Sequence, residues 1–333
     1  MNDRMDDEMK LSSGDQGSLP PEAPIPGAPA PPPDFAAAVQ PSYAWTLFFD
    51  SNGLRAGWGL TFYAAMVYPL QSVASRWAGS LELGADGLWS MMLEEFGVLM
   101  AAVIPALILA RVETRPWGAF GLPVRRAFGK LFWYGAVWGF ASITLLLATM
   151  YGLRLFEPGH LAIHGARIVK FAVFWGVMFL LVGFFEDFLF RGYSQFTLTR
   201  AIGFWPSAVL LSCAFGLIHL SNAGEQWPGL LAASAIGFFF CLTLRRTGNL
   251  WFAVGFHAAW DWGETFVYSV PDSGTIFPGH LLKSSFHGPR WLTGGIVGPE
   301  GSVLCFLVIA VVWVAFAKVY PEVRYPSTTG SAG

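Results

Sequence analysis

The sequence predicts an all-α polytopic membrane protein, and three observations carry that prediction. First, 54% of the 333 residues are hydrophobic and only 13% are charged, where soluble domains carry about 25% charge; mean hydropathy is +0.49. Second, apolar runs recur along the chain at close to the roughly 20 residues that a helix needs to cross a bilayer. Third, the ionisable residues inside those runs gather at a few points in the second half of the chain. A net charge of −2 with no long basic run gives no support for nucleic acid or another polyanion as partner. Cys213, Cys241 and Cys305 fall in apolar text without metal or redox spacing and read as small buried packing residues.

In chain order, residues 1–41 read as a tail. MNDRMDDEMK is acidic where a secretory signal would be basic and then apolar, and LPPEAPIPGAPAPPP cannot form a packed element, so a disordered cytosolic extension is expected. About eight spans follow: Leu54–Ser75, Leu88–Ala110, Leu131–Gly152, Ile168–Phe190, Phe204–Leu220, Leu230–Leu244, Leu250–Val270 and Ser302–Val319. Pro69 and Pro105 lie inside the first two, which membrane helices tolerate when neighbours satisfy the freed carbonyl. Residues 42–160 are expected to be scaffold, 161–270 the functional core, 271–301 a Gly- and Pro-rich loop, and 302–333 the last span with its tail. Pro-Glu-Gly-Ser at residues 299–302 reads as the start signal of that span.

Lys and Arg set the expected orientation. Arg111, Arg115, Arg125, Arg126 and Lys130 share one connection, while Arg191 with Arg200, Arg245 with Arg246, and Lys318 with Arg324 mark others on the same side if eight spans alternate. The positive-inside rule makes that side cytosolic, with both termini. Trp77, Trp89, Trp117, Trp227, Trp251 and Trp291 fall near span ends, as an interfacial belt requires.

Three polar sites interrupt the later spans: Glu186, Asp187 and Arg191 in EDFLFR, His219 in AFGLIHL, and His257 with Asp261 in GFHAAWD. A charge at that depth costs about 2.5–3.5 kcal/mol on insertion scales, so it must be paired or used. Asp187 and Arg191, four apart, are placed to pair on one helix face. Glu186 points about 100° away, unpartnered, as suits a base. Glu186 lies 17 residues before Gly203 and His219 lies 16 after it, so a hairpin turning at Gly203 and Pro206 brings the two level. His257 and Asp261 share one face of the seventh helix. Plainer readings exist for each: Glu186 as a structural acid, His219 as a satisfied core histidine, and His257 with Asp261 as a helix-packing hydrogen bond. Glu264 reads as interfacial, and His160, His164, His280 and His287 as solvated loop residues.

The ordered set E-D/E-x3-R, F-x3-H at Phe215 and His219, and H-x3-N/D at His257 and Asp261 resembles the CPBP family of intramembrane proteases, which includes the type II CAAX prenyl endopeptidases. The likeness covers about Leu180 to Tyr268. It implies hydrolysis of a peptide bond in a membrane-associated substrate, prenylated or otherwise lipid-anchored, within a cavity between helices 4 to 7 that opens to the cytosol or laterally to lipid. By position, Glu186 and His219 would activate water, Asp187 and Arg191 would brace their helix, and His257 with Asp261 would hold the oxyanion.

Two departures bear on that reading. Asp187 stands where the family usually has Glu, and Asp261 where the best-studied members have Asn. An ionised aspartate cannot donate to an oxyanion, so Asp261 is protonated, orients His257, or binds metal. The glutamate mechanism requires no cofactor; a zinc-like divalent ion held by Glu186, His219, His257 and Asp261 is the open alternative. The rivals from another class are a non-enzymatic membrane protein on this scaffold, such as a bacteriocin-immunity or partner-binding factor, and a proton-coupled transporter, although no internal repeat supports transport. The expected location is the inner membrane of a bacterium.

Overall fold

The computed structural model describes residues 43–50, 53–81, 83, 87–116, 118–222 and 224–325. The predicted tail and Trp117 lie outside the described residues.

Eight principal helices form where the eight apolar runs lie. They are α1 (Ala56–Ser80), α2 (Leu88–Val112), α3 (Lys130–Gly152), α4 (Ala166–Ile202), α5 (Phe204–His219), α6 (Trp227–Thr247), α7 (Trp251–Trp262) and α8 (Val303–Val319). Four of them, α2, α3, α4 and α6, are long and apolar enough to cross a bilayer; α5 and α8 are shorter apolar helices. Extended structure among the described residues amounts to two short antiparallel pairs, Phe49–Asp50 with Gly53–Leu54 and Phe156–Glu157 with Ser285–Phe286. The chain is an all-helical integral membrane protein.

Local chemistry sets the helix ends. Gly203, at φ 84°, makes the turn between α4 and α5 that a side chain would strain. Gly248, also left-handed, closes α6. Ser302 caps α8 by accepting from Cys305 N at 3.1 Å, as its sequence signal predicts. α4 is not a uniform helix: residues Phe190–Ser194 form a π turn, with Gly192 outside helical geometry. A second π turn, Gly263–Val267, extends α7.

The closest helix contact is α3 against α7. A Cβ on Gly135 would fall 2.1 Å from the Phe252 carbonyl oxygen, one on Gly139 2.1 Å from that of Phe256, and one on Gly255 2.1 Å from that of Phe132. Two glycines four apart on α3 and one on α7 therefore let backbone meet backbone, the small-residue packing that replaces hydrophobic drive inside lipid. Phe252 and Phe256 complete the contact from the α7 side and are essentially unexposed.

The connections sort to two ends. The α7–α8 loop pairs with the α3–α4 connection through Phe156–Glu157 and through Ala162 N, which donates to Leu281 O at 2.8 Å. At the other end, Leu250 N between α6 and α7 donates to Gly121 O between α2 and α3 at 2.8 Å, and Arg324 N and Tyr325 N beyond α8 donate to Arg245 O. Alternating helices produce this arrangement. Of the tryptophans expected at an interface, Trp77, Trp89, Trp227 and Trp291 are exposed. Trp251 is buried instead, because its indole N–H donates to Pro123 O at 3.2 Å and fastens the α6–α7 turn to the α2–α3 connection. Cys241 and Cys305 are buried as expected, whereas Cys213 is exposed on the outward face of α5.

If the α3–α7 contact positions the bundle, Gly139→Leu forces the helices apart. The expected cost is about 1–3 kcal/mol, read as a lowered thermal midpoint of the purified protein in detergent, with the exposed Val137→Leu on the same helix unchanged.

Candidate active site

α4 carries its charges inward because its partners accommodate them. Arg191 and Asp187 are both fully buried and pair at 3.3 Å through Nη1 and Oδ1. The guanidinium also lies 4.2 Å from the Phe215 ring centroid and 5.6 Å from that of Phe240, so aromatic faces replace the missing water. Gly237 on α6 makes the space, since a Cβ there would fall 2.3 Å from Nη2. The predicted pair is therefore present, and Phe215 serves two neighbours: it stacks on Arg191 and meets the His219 ring edge-on at 4.7 Å.

The second oxygen of Asp187 turns to α7. Its Oδ2 lies 3.5 Å from His257 Nδ1, while Nε2 of the same ring lies 3.5 Å from Glu186 Oε2 and 3.5 Å from Asp261 Oδ2. These are ion-pair separations, longer than good hydrogen bonds. Three carboxylates from two helices thus surround one imidazole. Glu186 is not without a partner, as the sequence suggests, because α7 supplies His257; the side chain keeps 16% exposure toward the cavity.

His219 comes to the same cavity from α5. Its Nδ1 donates to the Phe215 carbonyl at 2.7 Å, since that oxygen can only accept. This bond fixes the tautomer and leaves Nε2 with a free lone pair. Glu186, His219, His257 and Asp261 all line one cavity of about 300 Å³. One side of it is apolar, walled by Met91, Trp175, Met178, Phe179 and Phe277.

Several wall residues escape a reading of the sequence. Glu95 of α2 lines the cavity, so the first half of the chain is not scaffold alone. Asp272 and Glu300 line it too, because the 271–301 loop folds back over the bundle. Glu264 is not interfacial: it is 0% exposed, and its Oε2 accepts from Trp260 Nε1 at 2.8 Å. It lies in the π turn that follows Trp262. Burial and the neighbouring Glu300 push the Asp272 carboxyl up to about 8.

The cavity belongs to one end of the bundle. Its wall includes Asn222 from the α5–α6 connection and Asp272, Ser273 and Thr275 from the α7–α8 loop, which is the end away from Arg125, Arg126, Arg245 and Arg246. A cytosolic basic end and a cavity open to the cytosol therefore exclude each other, since alternating helices put these connections on opposite sides.

A metal ion fits the four predicted residues poorly. Among the described residues, the acids and histidines whose ligand atoms gather within 4.8 Å of one another are Glu264, Asp272 and Glu300; Glu186, His219, His257 and Asp261 do not form such a group.

Residues 168–263 match a family model described as type II CAAX prenyl endopeptidase Rce1-like. No curated protein and no solved structure matches the chain. The family match bears out the resemblance read from the sequence motifs, and it ends at Gly263, before Glu264, Asp272 and Glu300.

Removing Asp187 leaves Arg191 buried and uncompensated. Asp187→Ala is expected to destabilise the protein by about 3–5 kcal/mol, measured by thermal unfolding in detergent, and the double variant Asp187→Ala/Arg191→Met to recover part of the loss.

Proposed function

We propose that the chain is an intramembrane endopeptidase of the type II CAAX prenyl endopeptidase kind, with Glu186 as the base and no metal in the reaction. The observation that carries this is the placing of Glu186 and His219 in the wall of one cavity, with His257 3.5 Å from Glu186. All four candidate residues fall within the matched stretch.

The reaction follows from the donors and acceptors present. His219 Nε2 and a Glu186 oxygen accept the two protons of one water, and Glu186 removes one of them as the water oxygen attacks the scissile carbonyl. The tetrahedral oxygen needs a donor, and His257 Nε2–H supplies it. Asp187 at Nδ1 and Asp261 at Nε2 favour a proton on each ring nitrogen, and the single Nε2–H turns from the Asp261 carboxylate to the oxyanion as charge develops there. Asp261 thus orients His257 and does not touch the oxyanion itself. Glu186 then returns its proton to the leaving amine.

The apolar wall suits a lipid chain attached to the substrate, so the substrate class is a membrane-associated, lipid-anchored or prenylated peptide. All eight helices cross the membrane in this reading, the short ones being shielded within the bundle, and the protein sits in the inner membrane of a bacterium. The basic end is cytosolic and holds both termini. The cavity then opens toward the opposite face or laterally to lipid, and a substrate tethered at that leaflet reaches it.

Three experiments check these statements. Glu186→Ala and His219→Ala should each lower peptide cleavage by about 10²–10⁴-fold while leaving a folded, monodisperse protein in detergent, and Asp261→Asn should keep substantial activity. Substrates differing only in C-terminal lipidation should be cleaved unequally; full activity in either alanine variant overturns the assignment of the base. For orientation, Lys283→Cys should react with a membrane-impermeant maleimide in intact cells and Arg125→Cys only after lysis, each above the labelling of the parent protein. The reverse pattern turns the protein over in the membrane.

A further inference from the structure

The carboxylates that the proposed reaction leaves unused meet at one point. Glu264 lies in the π turn that ends α7, Asp272 opens the loop that follows, and Glu300 closes that loop just before α8. One oxygen from each lies within 4.8 Å of the other two. Residues at the two ends of a 30-residue loop and one on the helix before it thus share a centre.

Each of the three fixes one oxygen in the wall. Glu264 Oε2 accepts from Trp260 Nε1 at 2.8 Å, Asp272 Oδ2 from Thr265 Oγ1 at 2.9 Å, and Glu300 Oε2 from the Ser273 amide and hydroxyl at 3.1 Å each. The second oxygen of each makes no hydrogen bond among the described residues. That of Glu264 is the most telling, because the residue is 0% exposed and its Oε1 has neither solvent nor partner. No Lys or Arg among the described residues pairs with any of the three; the arginine pairs go to Glu113, Asp187 and Glu322. Glu264 is fully buried and Asp272 and Glu300 are half-buried, and no Lys or Arg among the described residues balances the three acids.

The geometry points to a binding site for a hard divalent cation, Ca²⁺, held by Glu264, Asp272 and Glu300 and clasping both ends of the 271–301 loop to the end of α7. Oxygen-only donors select a hard cation over zinc or copper. Oxygens held at about 2.4 Å from one Ca²⁺ stand at most about 4.8 Å apart, and the three carboxylates each offer an oxygen within that distance of the others, whereas Mg²⁺ at about 2.1 Å demands a tighter and more regular shell. Ca²⁺ takes six to eight oxygens, so water completes the shell. The clasp is separate from the water-activating residues, since neither histidine belongs to it. It borders the cavity, since Asp272 and Glu300 line it beside Ser273, Thr275 and Phe277 of the same loop, and the ion would hold that wall in place.

The test uses the full-length protein purified in detergent, stripped with EGTA and titrated with CaCl₂ while bound ⁴⁵Ca²⁺ and the thermal midpoint are followed. The expected result is one Ca²⁺ per chain with a raised midpoint and slower tryptic cleavage at Lys283 and Arg290. Asp272→Asn and Glu300→Gln, which keep shape and remove charge, should each weaken Ca²⁺ binding by about tenfold or more. His219→Ala and Glu186→Ala should leave it unchanged. The inference is overturned if the wild-type protein binds no Ca²⁺ at millimolar concentration, if Glu300→Gln binds as tightly as wild type, or if Mg²⁺ is preferred. Loss of binding in His219→Ala would overturn it as well, by moving the ion to the histidines. Because the wild-type titration needs no variant, a substitution that fails to fold does not decide the outcome. None of these readouts depends on cleavage, so the cation site and the proposed protease reaction stand or fall separately.

Discussion

The Asp187 carboxylate is the constraint from which the rest of the core follows. One oxygen meets the Arg191 guanidinium and the other faces His257, so a single side chain joins the charge that must be neutralised to the ring that lines the cavity. A guanidinium with no exposed surface cannot be left to itself in an apolar interior. Its neighbours are shaped accordingly: Gly237 gives way to it, and Phe215 and Phe240 cover its faces. Phe215 in turn accepts the His219 imidazole through its carbonyl. α4, α5, α6 and α7 are thereby coupled through one buried cation, and the site residues inherit their positions from that coupling.

Coupling by charge alone would not fix α7, because a side-chain pair tolerates sliding that a catalytic ring does not. The glycine contact with α3 supplies the missing precision. With Gly139 and Gly255 at carbonyl contact, the α7 backbone has one depth at which it can sit. His257 lies between Phe256, which that contact buries, and Ala258, so its direction into the cavity is set by backbone rather than by side-chain packing. The first half of the chain therefore acts on the site at a distance through α3, and directly through Glu95 of α2.

What the sequence revealed and what it hid divide on physical grounds. Eight helices were legible because lipid demands long apolar runs and glycine and proline punctuate them. That Glu186, His219, His257 and Asp261 gather in one place was legible because a polar residue in apolar text must be paired or used. Glu95 was not, since it follows Glu94 near the start of a helix, where charge reads as interfacial. Asp272 and Glu300 were not, because acids in a Gly- and Pro-rich loop look solvated until the loop folds back, and that depends on pairing with residues 156–162 far away in sequence. The contact between Glu186 and His257 was hidden for the same reason: hairpin arithmetic sees adjacent helices, whereas this contact joins α4 to α7.

Two π turns follow the polar clusters of α4 and α7. Phe190–Ser194 follows Glu186 and Asp187 on α4, and Gly263–Val267 follows His257 and Asp261 on α7. An extra residue in a turn shifts every later side chain by about 100° round the axis. Within each break one more charged residue keeps to the inward face. On α4 it is Arg191, four after Asp187 and packed on Phe215, and on α7 it is Glu264, three after Asp261 and fully buried. Each break thus lengthens the stretch of helix that presents charge inward. Glu186, Asp187, His257 and Asp261 sit before the breaks, where helical register is regular, and Arg191 and Glu264 sit within them.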